Sequence, residues 1–128
     1  MNISEKAVSM HKAGYNCAQG VFASAGEYTG LDEDVALAIS AGFGGGLRCG
    51  EVCGAVSGAV MALGKCFPYN DSSNLEAKAL IAELAAGFCA EFKARFGALR
   101  CEDIVGDKSR CNEYISAAAE ILEKYIKK

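Results

Sequence analysis

The sequence has no tryptophan, one proline and one histidine, and no basic surplus: 13 Lys and Arg face 16 Asp and Glu, a formal net charge of −3. Each shortage excludes something. Without a basic surplus there is no face to release counterions from a phosphate backbone, so nucleic acid is not an expected partner. Anionic membrane surfaces are set aside on the same ground. With 23% of residues charged and 52% hydrophobic, the composition is not that of a disordered chain. Its 128 residues can bury the core of one domain, expected to span 1–128. No apolar run is long enough to cross a bilayer, because Arg48, Glu51 and Lys65 bracket the most hydrophobic stretch, so no membrane insertion is expected. The opening MNISEKAVSMHKAG has polar residues throughout and no apolar run before a small-residue cleavage site, unlike a signal peptide, which makes a cytoplasmic location the expectation. No internal repeat, low-complexity tract or linker interrupts the chain.

Familiar cofactor spacings are missing too. There is no CxxCH for covalent haem, no pair of CxxC knuckles for zinc and no ferredoxin-type cysteine run. The glycines of Gly42–Gly50 miss the GxGxxG register and lack the Lys-Ser/Thr pair of a phosphate loop, so nucleotide binding is a poor reading.

What is present is helical periodicity. Ile3, Ala7, Met10, Gly14, Cys17, Val21 and Ala25 recur at spacings of three and four, predicting one amphipathic helix begun by an Asn2/Glu5 capping box. Gly26 and Gly30 end it, and Asp32-Glu33-Asp34 opens a shorter helix through Ser40. GFGGGLRCGE reads as a flexible loop. From Val52 to Lys65 the residues are apolar or small all round without alternation of period two. That predicts the most buried helix, with Gly54 and Gly58 facing a neighbour and Pro68 beyond its end. Ile81, Ala85, Phe88, Phe92 and Phe96 stripe another helix, ended by Gly97. After the loop ALRCEDIVGDKSR, Cys111, Ile115, Ala118 and Leu122 share a face of the last helix, where Lys124, Lys127 and Lys128 suit its negative end. The expected fold is all-α, a single compact domain of about five helices.

Seven cysteines are many for a reducing compartment, and their odd number leaves one thiol over. Metal or redox chemistry is therefore the leading question. Cys49 and Cys53 lie at i and i+4 where the glycine loop meets the central helix. Cys53, in that helix's first turn, gains from free backbone N–H groups and the helix dipole, which favour a thiolate. Cys111, beside Arg110, holds the same place on the last helix, and Cys101 can fold back to it across nine residues. Cys17, on a buried stripe, reads by itself as a small hydrophobe, as do Cys66 and Cys89. His11 has no acid or cysteine in helical register and is expected to face water.

GYNCAQGVF around Cys17, GFGGGLRCGEVCGAVSGAVMALG around Cys53, and the pair Cys101 and Cys111 resemble the small redox-active proteins named for their C_GCAxxG_C_C pattern. The resemblance covers nearly the whole chain, with CGAxxG at Cys53–Gly58. It implies that Cys17, Cys53, Cys101 and Cys111 are the family's four characteristic cysteines, which moves Cys17 from core to site and leaves Cys49 additional. The sequence also resembles the iron–sulfur module of split-Soret cytochromes c, although without CxxCH the haem part does not carry over.

Three functions follow as expectations. The first is an iron–sulfur or other thiolate-metal protein for electron transfer or sensing. Its ligands are Cys17, Cys53, Cys101 and Cys111, with Cys49 as a substitute and the amides of Gly44, Gly45 and Gly46 approaching the sulfurs. The second is a metal-free dithiol–disulfide oxidoreductase in which a low-pKa Cys53 attacks and Cys49, Cys101 or Cys111 resolves. The third is a helical association module. A redox partner is implied without being identified, and the Ala- and Gly-rich middle of the chain favours a homodimer.

Overall fold

A computed structural model of the chain describes residues 2–104 and 110–127. Among these residues the regular structure is helical, and the one β pairing is an isolated antiparallel bridge, Val52 with Arg100. The α-helices are α1 (Ile3–Lys12), α2 (Cys17–Ser24), α3 (Gly26–Thr29), α4 (Glu33–Ser40), α5 (Gly54–Cys66), α6 (Leu75–Phe96), α7 (Cys101–Ile104) and α8 (Cys111–Ile126). The all-α expectation holds, while the expected five helices become eight among the described residues.

Most of the difference lies in the first stripe. It runs unbroken in sequence from Ile3 to Ala25, but the chain turns at Gly14, whose φ of +115° is one that L side chains rarely adopt. Asn16 then starts α2 with a capping box: its side chain accepts from the Gln19 N–H at 2.9 Å, and the Gln19 side chain accepts from the Asn16 N–H at 3.1 Å. The same device starts α1, where the Asn2 side chain accepts from the Glu5 N–H at 2.8 Å, as the sequence predicts. Further on, Gly30 closes α3 with φ +73°. Within the loop ALRCEDIVGDKSR, Cys101–Ile104 form the helical turn α7. The rest of that loop, residues 105–109, and Lys128 lie outside the described residues.

The core is built around α2, which packs on α1 and α5. Five of its eight residues are buried against seven of thirteen in α5, so α2 and not α5 is the more deeply enclosed helix. The reason is its position between two neighbours, each approaching at a glycine. A Cβ on Gly20 would stand 3.0 Å from the Ala7 carbonyl oxygen of α1, and one on Gly58 would stand 2.6 Å from that of Ala18 in α2. Gly54 and Gly58 thus face a neighbouring helix as expected, and that helix is α2. Replacing Gly58 by Leu is expected to drive α5 off α2 at a cost of about 1–3 kcal/mol, read from the urea unfolding midpoint. An unchanged midpoint would show that the two backbones do not meet there.

On the other side, Phe88 and Phe92 of α6 are fully buried, and their stack continues through Phe96 to Tyr114 of α8. The Tyr114 hydroxyl donates to the Ile104 carbonyl at 2.6 Å. That bond ties the end of α7 to α8 and so fixes where Cys101 and Cys111 stand. No helix among the described residues is long and apolar enough to cross a membrane.

Candidate functional site

Cys17, Cys53, Cys101 and Cys111 line one pocket of about 400 Å³. Each stands where a helix begins. Cys17 follows the Asn16 cap of α2, Cys101 and Cys111 are the first residues of α7 and α8, and Cys53 is the N-cap of α5. The central helix therefore starts two residues later than expected, at Gly54, because Val52 is engaged in the bridge with Arg100. That bridge sets the site. The Cys53 N–H donates to the Leu99 carbonyl at 2.7 Å and the Cys101 N–H to the Glu51 carbonyl at 2.6 Å, so one short crossing holds both cysteines. Arg100 braces it from outside, with its guanidinium paired to Glu51, Glu102 and Asp103.

CGAxxG gains a physical meaning from the same packing. A Cβ on Gly54 would overlap the Cys17 sulfur, so the glycine after Cys53 makes the space that Cys17 fills. Gly58, one turn on, admits the Ala18 backbone. The two glycines bring the Cys17 end of α2 against the Cys53 end of α5.

The glycine segment, expected to be a loop from its composition, has a defined turn geometry. Gly45, Gly46, Leu47 and Arg48 all have positive φ, at 63°, 67°, 59° and 63°, and form a left-handed turn closed by the Glu51 N–H donating to the Gly46 carbonyl at 2.9 Å. Leu47 and Arg48 hold a conformation that costs an L-residue about 1–2 kcal/mol each. Gly45 and Arg48 line the pocket; Gly44, packed against the Asn16 side chain, and Gly46 are not among its lining residues. Cys49 is exposed and its thiol donates to the Gly46 carbonyl at 3.6 Å, away from the pocket wall. Cys66 and Cys89 also lie outside it, with burial raising both thiols above their ordinary pKa.

Two expectations are corrected here. Cys53 is buried, at 4% exposure, and burial pushes its thiol up to about 12. The nearby Cys17 and Cys101 sulfurs add to that rise, and the Ala55 and Val56 N–H groups only partly oppose it. The low pKa expected at Cys53 is opposed by its surroundings, because loss of water outweighs the helix-start donors. His11 does not simply face water: it is half-buried, lines the pocket, and its Nδ1–H donates to Asn112 Oδ1 at 2.9 Å. No local signal could reveal this, since the partners are 101 residues apart. Among the described residues no three His, Cys, Asp or Glu side chains converge closely enough to hold a single metal ion.

Fold and pocket together define an all-α protein that turns four helix-start cysteines toward one cavity. The chain belongs to the family described as putative redox-active protein (C_GCAxxG_C_C), whose model matches residues 15–125. No curated protein and no solved structure matches the chain.

Proposed function

We propose that Cys17, Cys53, Cys101 and Cys111 hold an iron–sulfur cluster and that the protein uses it to transfer or sense electrons. The observation that carries this reading is that these four cysteines line one cavity. The donor set suits the group in kind and number, because four thiolates complete the protein ligation of a cluster. Such a cluster supplies one-electron exchange when bound.

The chain's own residues do the rest. Cys53 and Cys101 are held by the backbone crossing at Val52 and Arg100, and Cys17 is seated against Gly54. The first turns of α2, α5 and α8 present backbone N–H groups to that side of the molecule. The apolar walls from Tyr114 and Ile115 limit water. In the competing dithiol reading, burial raises the Cys53 thiol and so disfavours it as the attacking group.

The test is anaerobic purification and reconstitution with ferrous iron and sulfide, followed by absorption spectroscopy and iron, sulfide and zinc analysis. Visible sulfur-to-iron bands with stoichiometric iron and sulfide are expected. A colourless protein that retains neither, or that takes zinc alone, would overturn the reading.

A further inference from the structure

We propose that the mouth of the cysteine pocket is a binding site for a small molecule bearing an oxyanion, which Arg48 receives. Among the described residues, Arg48 is the one lysine or arginine on the pocket lining. Among the described residues it makes no hydrogen bond and no ion pair, unlike Arg95, Arg100 and Arg110, which all pair with acids. The single carboxylate on the lining among the described residues, Glu102, is already held by Arg100 at 2.9 Å, on a guanidinium that also reaches Glu51 and Asp103. A planar guanidinium with its donors unspent, exposed at the rim of a cavity, is matched by a carboxylate or phosphate that can take two N–H groups at once.

Arg48 stands there through an unfavourable backbone. It is the last residue of the left-handed turn, at φ 63°, a conformation an arginine adopts only when its surroundings impose it. The Gly46 carbonyl, accepting from the Glu51 N–H at 2.9 Å, links that turn directly to the crossing that holds Cys53 and Cys101. The cation and the cysteines are thus placed by one piece of chain. An oxyanion on Arg48 leaves the rest of a small molecule at the pocket opening, beside the half-buried Cys17, Cys101 and Cys111. The inference rests on the pocket as the place of reaction and not on iron being bound there.

The experiment compares two alkylating probes of similar size, anionic iodoacetate and neutral iodoacetamide, on the reduced, metal-free chain. A Cys49→Ser background removes the exposed thiol next to Arg48. Peptide mapping follows carboxymethylation and carbamidomethylation of Cys17, Cys101 and Cys111, and the readout is the ratio of the two rates. Any change in thiol ionisation alters both rates alike and cancels in the ratio. Arg48→Gln is expected to lower the iodoacetate-to-iodoacetamide ratio about fivefold, and concentrated salt to bring the unsubstituted protein to the same value. Arg48→Lys should keep most of the preference. Arg48→Gly relieves the backbone while removing the charge, so it should match Arg48→Gln. A ratio unchanged in both Arg48→Gln and Arg48→Gly would overturn the proposal, including the case in which both rates fall together. Iron and sulfide content plays no part in this readout, so failure here is distinct from failure of the cluster reading.

Discussion

Gly54→Ala is expected to destabilise the protein by about 1–3 kcal/mol, and Cys17→Ala in the same chain to restore about half of the loss. In most helical positions the exchange is favourable, since alanine outranks glycine by about 0.5–1 kcal/mol in helix propensity. Gly54 is different because the added Cβ overlaps the Cys17 sulfur and also stands 3.0 Å from the Phe43 carbonyl oxygen and 3.1 Å from the Ala18 nitrogen. Removing the sulfur relieves the first contact. The two backbone contacts remain, tight without being prohibitive, which is why recovery is partial. Gly58→Ala supplies the control. Its Cβ meets the Ala18 carbonyl oxygen at 2.6 Å, a backbone atom that no side-chain truncation can move, so Cys17→Ala should give it no relief. Urea unfolding of the four chains in the Gly54 cycle, beside the corresponding Gly58 pair, decides the matter. Equal recovery in both series, or in neither, would mean that Gly54 and Cys17 are not in contact as described.

That contact also shows why part of the site was legible before any coordinates. Cys53 and Cys111 stood out because a cysteine at the start of a helix is a local feature, carried by the change from glycine loop or charged segment to an apolar period. Cys101 followed from its tether to Cys111. Cys17 did not, for the residues around it show only a helical stripe, and the resemblance to a family had to supply its role. The stripe misled for a physical reason. Gly14 occupies a core-facing register, so the period of three and four continues through the very residue where the chain turns at φ +115°. The Asn16-x-x-Gln19 capping box was written in the sequence as openly as Asn2-x-x-Glu5, but it lay inside an apparently continuous helix.

The remaining gaps are tertiary. The Val52–Arg100 bridge joins segments nearly fifty residues apart, and the Glu51 to Arg100 ion pair across it spans 49 positions. His11 meets Asn112 over a longer interval still. The left-handed turn at Leu47 and Arg48 had no signal of its own, because neither residue type favours positive φ and the bond that closes it, from Glu51 to Gly46, is not written in either residue. The chemistry expected at Cys53 failed on burial, which no local pattern reports: the donors of the first turn are present, but the surroundings remove the water that a thiolate needs.

Cys53→Ser is expected to lower the iron retained after anaerobic reconstitution by at least about tenfold, taking the loss seen on altering a ligand's support as a lower bound. Cys89→Ser should leave the iron unchanged and cost about 1 kcal/mol of stability, from setting a hydroxyl among apolar neighbours. The pair is informative because the first substitution is gentle to the fold. Cys53 is the N-cap of α5, with φ −51° and ψ 132°, and serine is among the preferred residues at such a position. Its hydroxyl oxygen can accept from the Ala55 and Val56 N–H groups that already face the Cys53 sulfur, so a buried polar atom is not left without partners. Helix α5 should therefore start as before, and circular dichroism and the thermal midpoint should change little while the visible bands disappear. Cys89 stands in the middle of α6 between the buried Phe88 and the exposed Ala90, outside the pocket, where the same exchange touches packing alone. Equal loss of iron in both variants, or none in Cys53→Ser, would remove Cys53 from the ligand set and with it the proposed cluster.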